Sequence, residues 1–107
     1  MAITESRSPI LEVAILNVIP EKNATFQDDF AKAQQYIQAI EGYLDHQLQQ
    51  CIENPCRYLL LVRWETLEAH TEGFRRSPEY QNWKRLLHHY YQPFPTVEHY
   101  QPVQLDP

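Results

Sequence analysis

RYLLLVRWE, residues 57–65, and LEVAILNVI, residues 11–19, decide the fold. Each is a short run dense in Leu, Val and Ile. A strand with one wet face alternates apolar and polar residues, whereas a strand covered on both faces does not. Both runs read as strands covered on both sides. Their β-branched content, and Pro20 closing the first run, favour strand over buried helix.

Between them lie a helix and a half-exposed strand. Phe26, Phe30, Ala33, Ile37 and Ile40 recur at steps of four and three, so residues 25–41 form an amphipathic helix. Thr25 with Asp28 resembles a capping box at its start, and Gly42 ends it through the left-handed conformation that glycine enters most cheaply. Residues 43–50 alternate, with Leu44, His46 and Leu48 on one face. Glu53, Asn54 and Pro55 form a turn, so residues 43–50 and 57–65 make a hairpin. Downstream, residues 66–75 form a short helix carrying Leu67, His70 and Phe74 on one face. Ser77, Pro78 and Glu79 begin another: serine accepts from free N–H groups, proline needs no partner there, and glutamate suits the positive end. Its apolar stripe is Tyr80, Trp83, Leu87 and Tyr90, and Pro93 and Pro95 end it. Residues 96–103 form a last strand that Pro102 places near an edge.

The order β-α-β-β-α-α-β is that of the ferredoxin-like α+β fold, with the two later helices acting as one broken crossover. Four antiparallel strands then carry helices on one face only. Two of the strands read apolar on both faces, so something must cover the other side, and a second copy of the chain is the available partner. The expected assembly is a sheet-to-sheet homodimer. A chain of 107 residues suits a single domain spanning 1–107, with residues 1–10 a loose arm.

Composition removes several classes of function. Net charge is −5 with no Lys/Arg stripe, which argues against nucleic acid. No apolar run approaches the length of a membrane span, and the first ten residues lack the pattern of a secretory signal, so a cytoplasmic location is expected. Cys51 and Cys56, alone in the chain, read as free thiols. His88 and His89 point about 100° apart on a helix and His46 and His99 sit on strands. Glu68 and Glu72 share a helix face without a histidine beside them. No metal and no cofactor is expected. Two glycines leave no glycine-rich phosphate cradle.

Read in order, Tyr58-Leu-Leu-Leu-Val-Arg-Trp-Glu, Leu67-Glu-Ala-His, Phe74-Arg-Arg-Ser-Pro-Glu-Tyr and Val97-Glu-His-Tyr resemble the antibiotic biosynthesis monooxygenase (ABM) family over residues 11–103. The resemblance implies the dimeric α/β barrel. For activity it implies a range: oxidation of polycyclic phenols to quinones by dioxygen without metal or flavin, haem opening, or action on small quinones. Haem-degrading members use an Asn on the first strand, a Trp ahead of the Ser and a His further on. Asn17 matches the first, but Phe74 and Lys84 stand at or near the other two places. Many other members carry a His three residues before the Ser, where this chain again has Phe74.

Two residues emerge as catalytic candidates. Asn17, the one amide in its apolar run, either holds a substrate oxygen or bonds backbone at a strand end. His70, one turn before Phe74, is either a base titrating near neutrality or a histidine turned to the core. Tyr58, Trp64, Phe74, Tyr80 and Trp83 are candidates to line an aromatic cavity for a flat substrate, Trp64 being equally readable as core. The expected function is a cofactor-independent ABM-type monooxygenase acting on a small aromatic or quinol molecule. The alternative is a non-catalytic binding or accessory homodimer of the same fold; a haem- or dye-directed relative is a third reading.

Overall fold

The computed structural model describes residues 9–106. Four strands form one antiparallel sheet: β1 (Ile10–Asn17), β2 (Tyr43–Gln50), β3 (Arg57–Trp64) and β4 (Val97–Tyr100), in the order β2-β3-β1-β4. Helix α1 (Asn23–Gln38) joins β1 to β2, and helix α2 (Pro78–Leu87) lies on the path from β3 to β4. This is the expected ferredoxin-like arrangement. Of the expected arm over residues 1–10, residues 1–8 lie outside the described residues, and Ile10 already belongs to β1.

Strand alternation divides the sheet into two unlike faces. Leu16 pairs with Tyr58, Ala14 with Leu60 and Glu12 with Val62. These residues, with Trp64, face the helices and are buried. They pack on Phe26, Phe30, Ala33 and Ile37 of α1 and on Trp83 and Leu87 of α2. Each fully buried large apolar side chain contributes about 1.5–3 kcal/mol, so this layer carries the stability. The opposite face carries Leu11, Val13 and Ile15 beside Leu59 and Leu61, incompletely covered, with Ile15 50% exposed.

Several local expectations need correction. Helix α1 starts at Asn23, after a 3-10 turn over Pro20–Lys22, so Thr25 is not its cap. The Thr25 hydroxyl instead meets the Tyr90 phenol at 2.9 Å. The segment after β3 contains a π-helical turn, Ala69–Phe74, in which the Arg75 N–H donates to the His70 carbonyl five residues back. This winding buries His70 and Phe74 but leaves Leu67 on the surface. Strand β4 is shorter than residues 96–103, and Pro102 falls beyond it. The Ser77 cap holds as expected, its Oγ accepting from the Tyr80 N–H at 3.1 Å. Cys51 and Cys56 are free.

Gly42 ends the α1-to-β2 turn at φ +93°, and a Cβ placed there would lie 2.6 Å from the Ala69 Cβ. Both the backbone conformation and the space exclude a side chain. Gly42→Ala is expected to cost about 2–3 kcal/mol in urea denaturation, and an unchanged midpoint would refute this role.

Candidate functional site

A cavity of about 280 Å³ lies between the helix-facing side of the sheet and the crossover segment. The sheet contributes Glu12, Ala14, Leu16, Leu60 and Val97. The crossover contributes His70, Phe74, Arg75, Tyr80, Trp83 and His88, and the following loop adds Tyr91, Phe94 and Pro95. Aromatic rings thus form much of the wall. Phe74 meets Tyr80 and Trp83 edge-on at 5.1 and 5.6 Å between centroids. His70 and Phe74 both reach this cavity from the π-helical turn, a winding often found at functional sites.

One end of the cavity is polar. Glu12 is 5% exposed and His70 3% exposed. Glu12 Oε1 accepts from the Trp64 indole N–H at 2.9 Å and lies 3.5 Å from His70 Nε2. His70 Nδ1 lies 2.8 Å from His99 Nε2 on β4, so these two rings share one proton. The Trp64 ring stacks on His70, 5.3 Å between centroids at 19°. Three strands and the crossover therefore set a carboxyl and two imidazoles in one line, hydrogen-bonded between the two rings and in close contact between His70 and Glu12.

Burial governs the charge states. Desolvation raises the Glu12 carboxyl from its ordinary 4.5 to about 7, against smaller opposing effects of the Trp64 hydrogen bond and the Arg75 charge. Desolvation also lowers His70 to about 3, helped by Arg75 and His99. Near neutrality Glu12 and His70 are close enough for an ion pair, yet His70 carries no charge. The contact joins a neutral imidazole to a carboxyl that is roughly half protonated. His88 is pushed down to about 4 by burial and the neighbouring Lys84. His99 is lowered by burial and by Arg75. Arg75, exposed, sets a fixed cation at the cavity wall.

The structure brings together four of the seven sequence candidates: His70, Phe74, Tyr80 and Trp83. Trp64 is fully buried behind His70, so it is core, yet its N–H holds the site carboxyl. Tyr58 faces a different groove; its phenol donates to Asn23 Oδ1 at 2.8 Å and its ring packs on Phe26. Asn17 points to the opposite sheet face, where its Oδ1 accepts from Arg57 Nε at 3.1 Å. An odd-numbered β1 residue cannot share a face with Glu12, Ala14 and Leu16. Of the two readings of His70, the structure fits the histidine turned to the core, whose burial lowers its basicity. Glu12 and His99 were missed, although a carboxylate inside LEVAILNVI is itself a signal: a charge in a covered strand needs partners.

With that geometry in place, the likenesses to known proteins gain meaning. The family model described as antibiotic biosynthesis monooxygenase matches residues 9–86. The chain belongs to the ABM family. It is 52% identical over 94 residues to the uncharacterized protein YczJ of Bacillus subtilis, covering 88% of this chain and 99% of that one. It superposes with a TM-score of 0.86 on the crystal structure of a Bordetella bronchiseptica protein proposed to be an antibiotic biosynthesis monooxygenase. That protein is 34% identical, and the match spans 92% of this chain and all of the other. A mutant of SnoaB, a cofactor-independent oxygenase of Streptomyces nogalater, superposes at 0.78 over 94% of this chain and 99% of its own, at 16% identity. That last likeness bears on the ABM fold alone.

The raised Glu12 value has a thermodynamic consequence. An unfolded glutamate ionises around 4.5, whereas folded Glu12 keeps its proton up to about 7. The neutral carboxyl therefore costs the fold least below 4.5, and stability is lost as pH rises from there through 7. Glu12→Gln is expected to stabilise the chain by about 2–3 kcal/mol at pH 8 and by little at pH 4. Urea melts of both proteins at the two pH values check this, and a variant destabilised at pH 8 would contradict it.

Proposed function

We propose that this ABM protein is a cofactor-independent monooxygenase acting on a small aromatic phenol or quinol, bound one molecule per chain in the aromatic cavity. The observation that carries the reading is a cavity walled by aromatic rings and ended by a carboxyl in contact with a hydrogen-bonded pair of imidazoles. Apolar walls with a few convergent polar groups are the usual form of a small-molecule site. The volume also selects. A dry cavity of about 150 Å³ holds one benzene ring, and this one, at about 280 Å³, suits one or two fused rings. SnoaB, described as a cofactor-independent oxygenase, shows that this fold accommodates such chemistry.

The reaction needs little from the protein. Removing the phenolic proton leaves an electron-rich ring carbon that gives electrons to dioxygen and forms a C–O bond. Loss of the ring C–H proton with O–O cleavage then yields the quinone and water, so the substrate supplies all the electrons. The site's task is to take up a proton, hold the ring and exclude water. His70 faces the substrate as a neutral ring that donates or accepts a hydrogen bond.

A second reading keeps the cavity without the chemistry. Phe74 occupies the place where many ABM relatives carry a histidine, which suits a binding module. We further propose that the uncovered face, with Leu11, Val13, Ile15, Leu59 and Leu61, pairs with that of a second copy.

Oxygen uptake with a panel of naphthols and hydroquinones is the direct test, comparing the native chain with Ala14→Phe, which fills the cavity from its floor. Uptake by the native chain, reduced at least tenfold in the variant, is expected. Native protein that binds these rings without consuming oxygen would favour the binding module. In sedimentation the native chain is expected to run as a dimer and Leu61→Asp as a monomer; a monomeric native chain would refute the sheet pairing.

A further inference from the structure

We propose that Glu12 is the catalytic acid–base of the oxygenation, carrying the substrate's phenolic proton to the departing oxygen, with His70 and His99 as its positioning residues. The inference rests on the monooxygenase reading and assigns its proton chemistry. Three features of the geometry carry it. First, Glu12 is 5% exposed and lines the cavity. Its Oε1 is held by Trp64, and among the described residues no hydrogen bond reaches Oε2, which leaves that oxygen for a ligand. Second, a proton held by His70 would place a cation in a buried site beside Arg75, which burial disfavours, so the ring is a poor base on its own.

Third, the His70–His99 pair matches either state of Glu12 without gaining charge. When Glu12 is ionised, His70 Nε2–H faces Oε1 and His70 Nδ1 accepts from His99 Nε2–H. When Glu12 carries its proton on Oε1, both rings change tautomer: His70 Nδ1–H donates to His99 and its Nε2 is free to accept from the carboxyl. The 3.5 Å gap between Glu12 and His70 is longer than a settled hydrogen bond, and contacts of this kind commonly close once substrate is bound.

The proton count closes. The Glu12 carboxylate takes the phenolic O–H proton. After the C–O bond forms, the carboxylic acid gives that proton to the terminal peroxide oxygen. The carboxylate then removes the ring C–H proton, whose electron pair forms the C=O bond as the O–O bond breaks. The hydroxide released takes the proton from Glu12 and leaves as water. Glu12 ends as it began, and no other reductant is required.

The groups facing Glu12 are Trp64 from β3, His70 and Arg75 from the crossover, and His99 from β4. The experiment is oxygen uptake with 1-naphthol against pH for the native chain, Glu12→Gln and Trp64→Phe, paired with infrared titration of the carboxyl stretch. The native rate is expected to rise through a midpoint near pH 7. Glu12→Gln is expected to lose about a hundredfold or more at every pH and to lose that limb. Trp64→Phe is expected to move the limb to higher pH, because the indole N–H favours the ionised carboxyl. A folded Glu12→Gln protein with the native rate and limb would overturn the proposal. If the native chain turns over no substrate, the monooxygenase reading falls on its own. The infrared experiment still decides on Glu12: a protonated-carboxyl band that disappears near pH 7, is missing in Glu12→Gln and shifts when 1-naphthol binds upholds it as the proton-exchanging group. A band that ignores the ligand overturns it. Should Glu12→Gln fail to fold, the Trp64→Phe limb and the native band decide between these outcomes.

Discussion

A carboxyl group in the middle of a sheet, 5% exposed, has little contact with bulk water, and the arrangement around Glu12 is the answer this chain gives. β1 lies between β3 and β4, so the groups available to Glu12 are those its two neighbours and the crossover deliver. β3 brings the Trp64 N–H, β4 brings His99 and the crossover brings His70. Each depends on register. Sliding β1 by one residue against β3 would turn Glu12 to the open face and Val13 to the cavity. The strand pairing that builds the fold therefore also builds the site.

Energetically the site works against the fold. A half-protonated buried carboxyl and an imidazole held neutral both forgo favourable solvation, and the aromatic wall around them encloses space instead of filling it. The compensation comes from the other half of the core, where Phe26, Ile37 and Val62 are almost completely buried. Stability lost at a site and recovered elsewhere is the usual division of labour in proteins with a function to perform.

Much of this was legible in the chain itself. The two apolar runs, the alternation of residues 43–50 and the Ser77-Pro78 start are local signals, and each element they mark is present. The ABM family also showed in the ordered Trp-Glu and Ser-Pro segments. What escaped was geometry between distant segments. Asn17 and Glu12 both break the same apolar run, and only strand parity, fixed by pairing with β3, tells which one faces the helices. Likewise nothing local in Ala69–Phe74 announces a π turn, so the helical wheel over residues 66–75 placed Leu67 in the core with His70 and Phe74. Burial of the His70 ring, and hence its low basicity, follows from that same tertiary packing.

The central claim is that His70 stays neutral beside a carboxyl that titrates in its place. Nitrogen-15 NMR of the histidine side chains, followed from pH 8 to pH 4.5, measures this directly. The expected result is a neutral His70 at every pH, with its ring nitrogens exchanging donor and acceptor character near pH 7 as Glu12 takes up its proton. A His70 ring that becomes imidazolium around pH 6.5, with no change near 7, would contradict the claim.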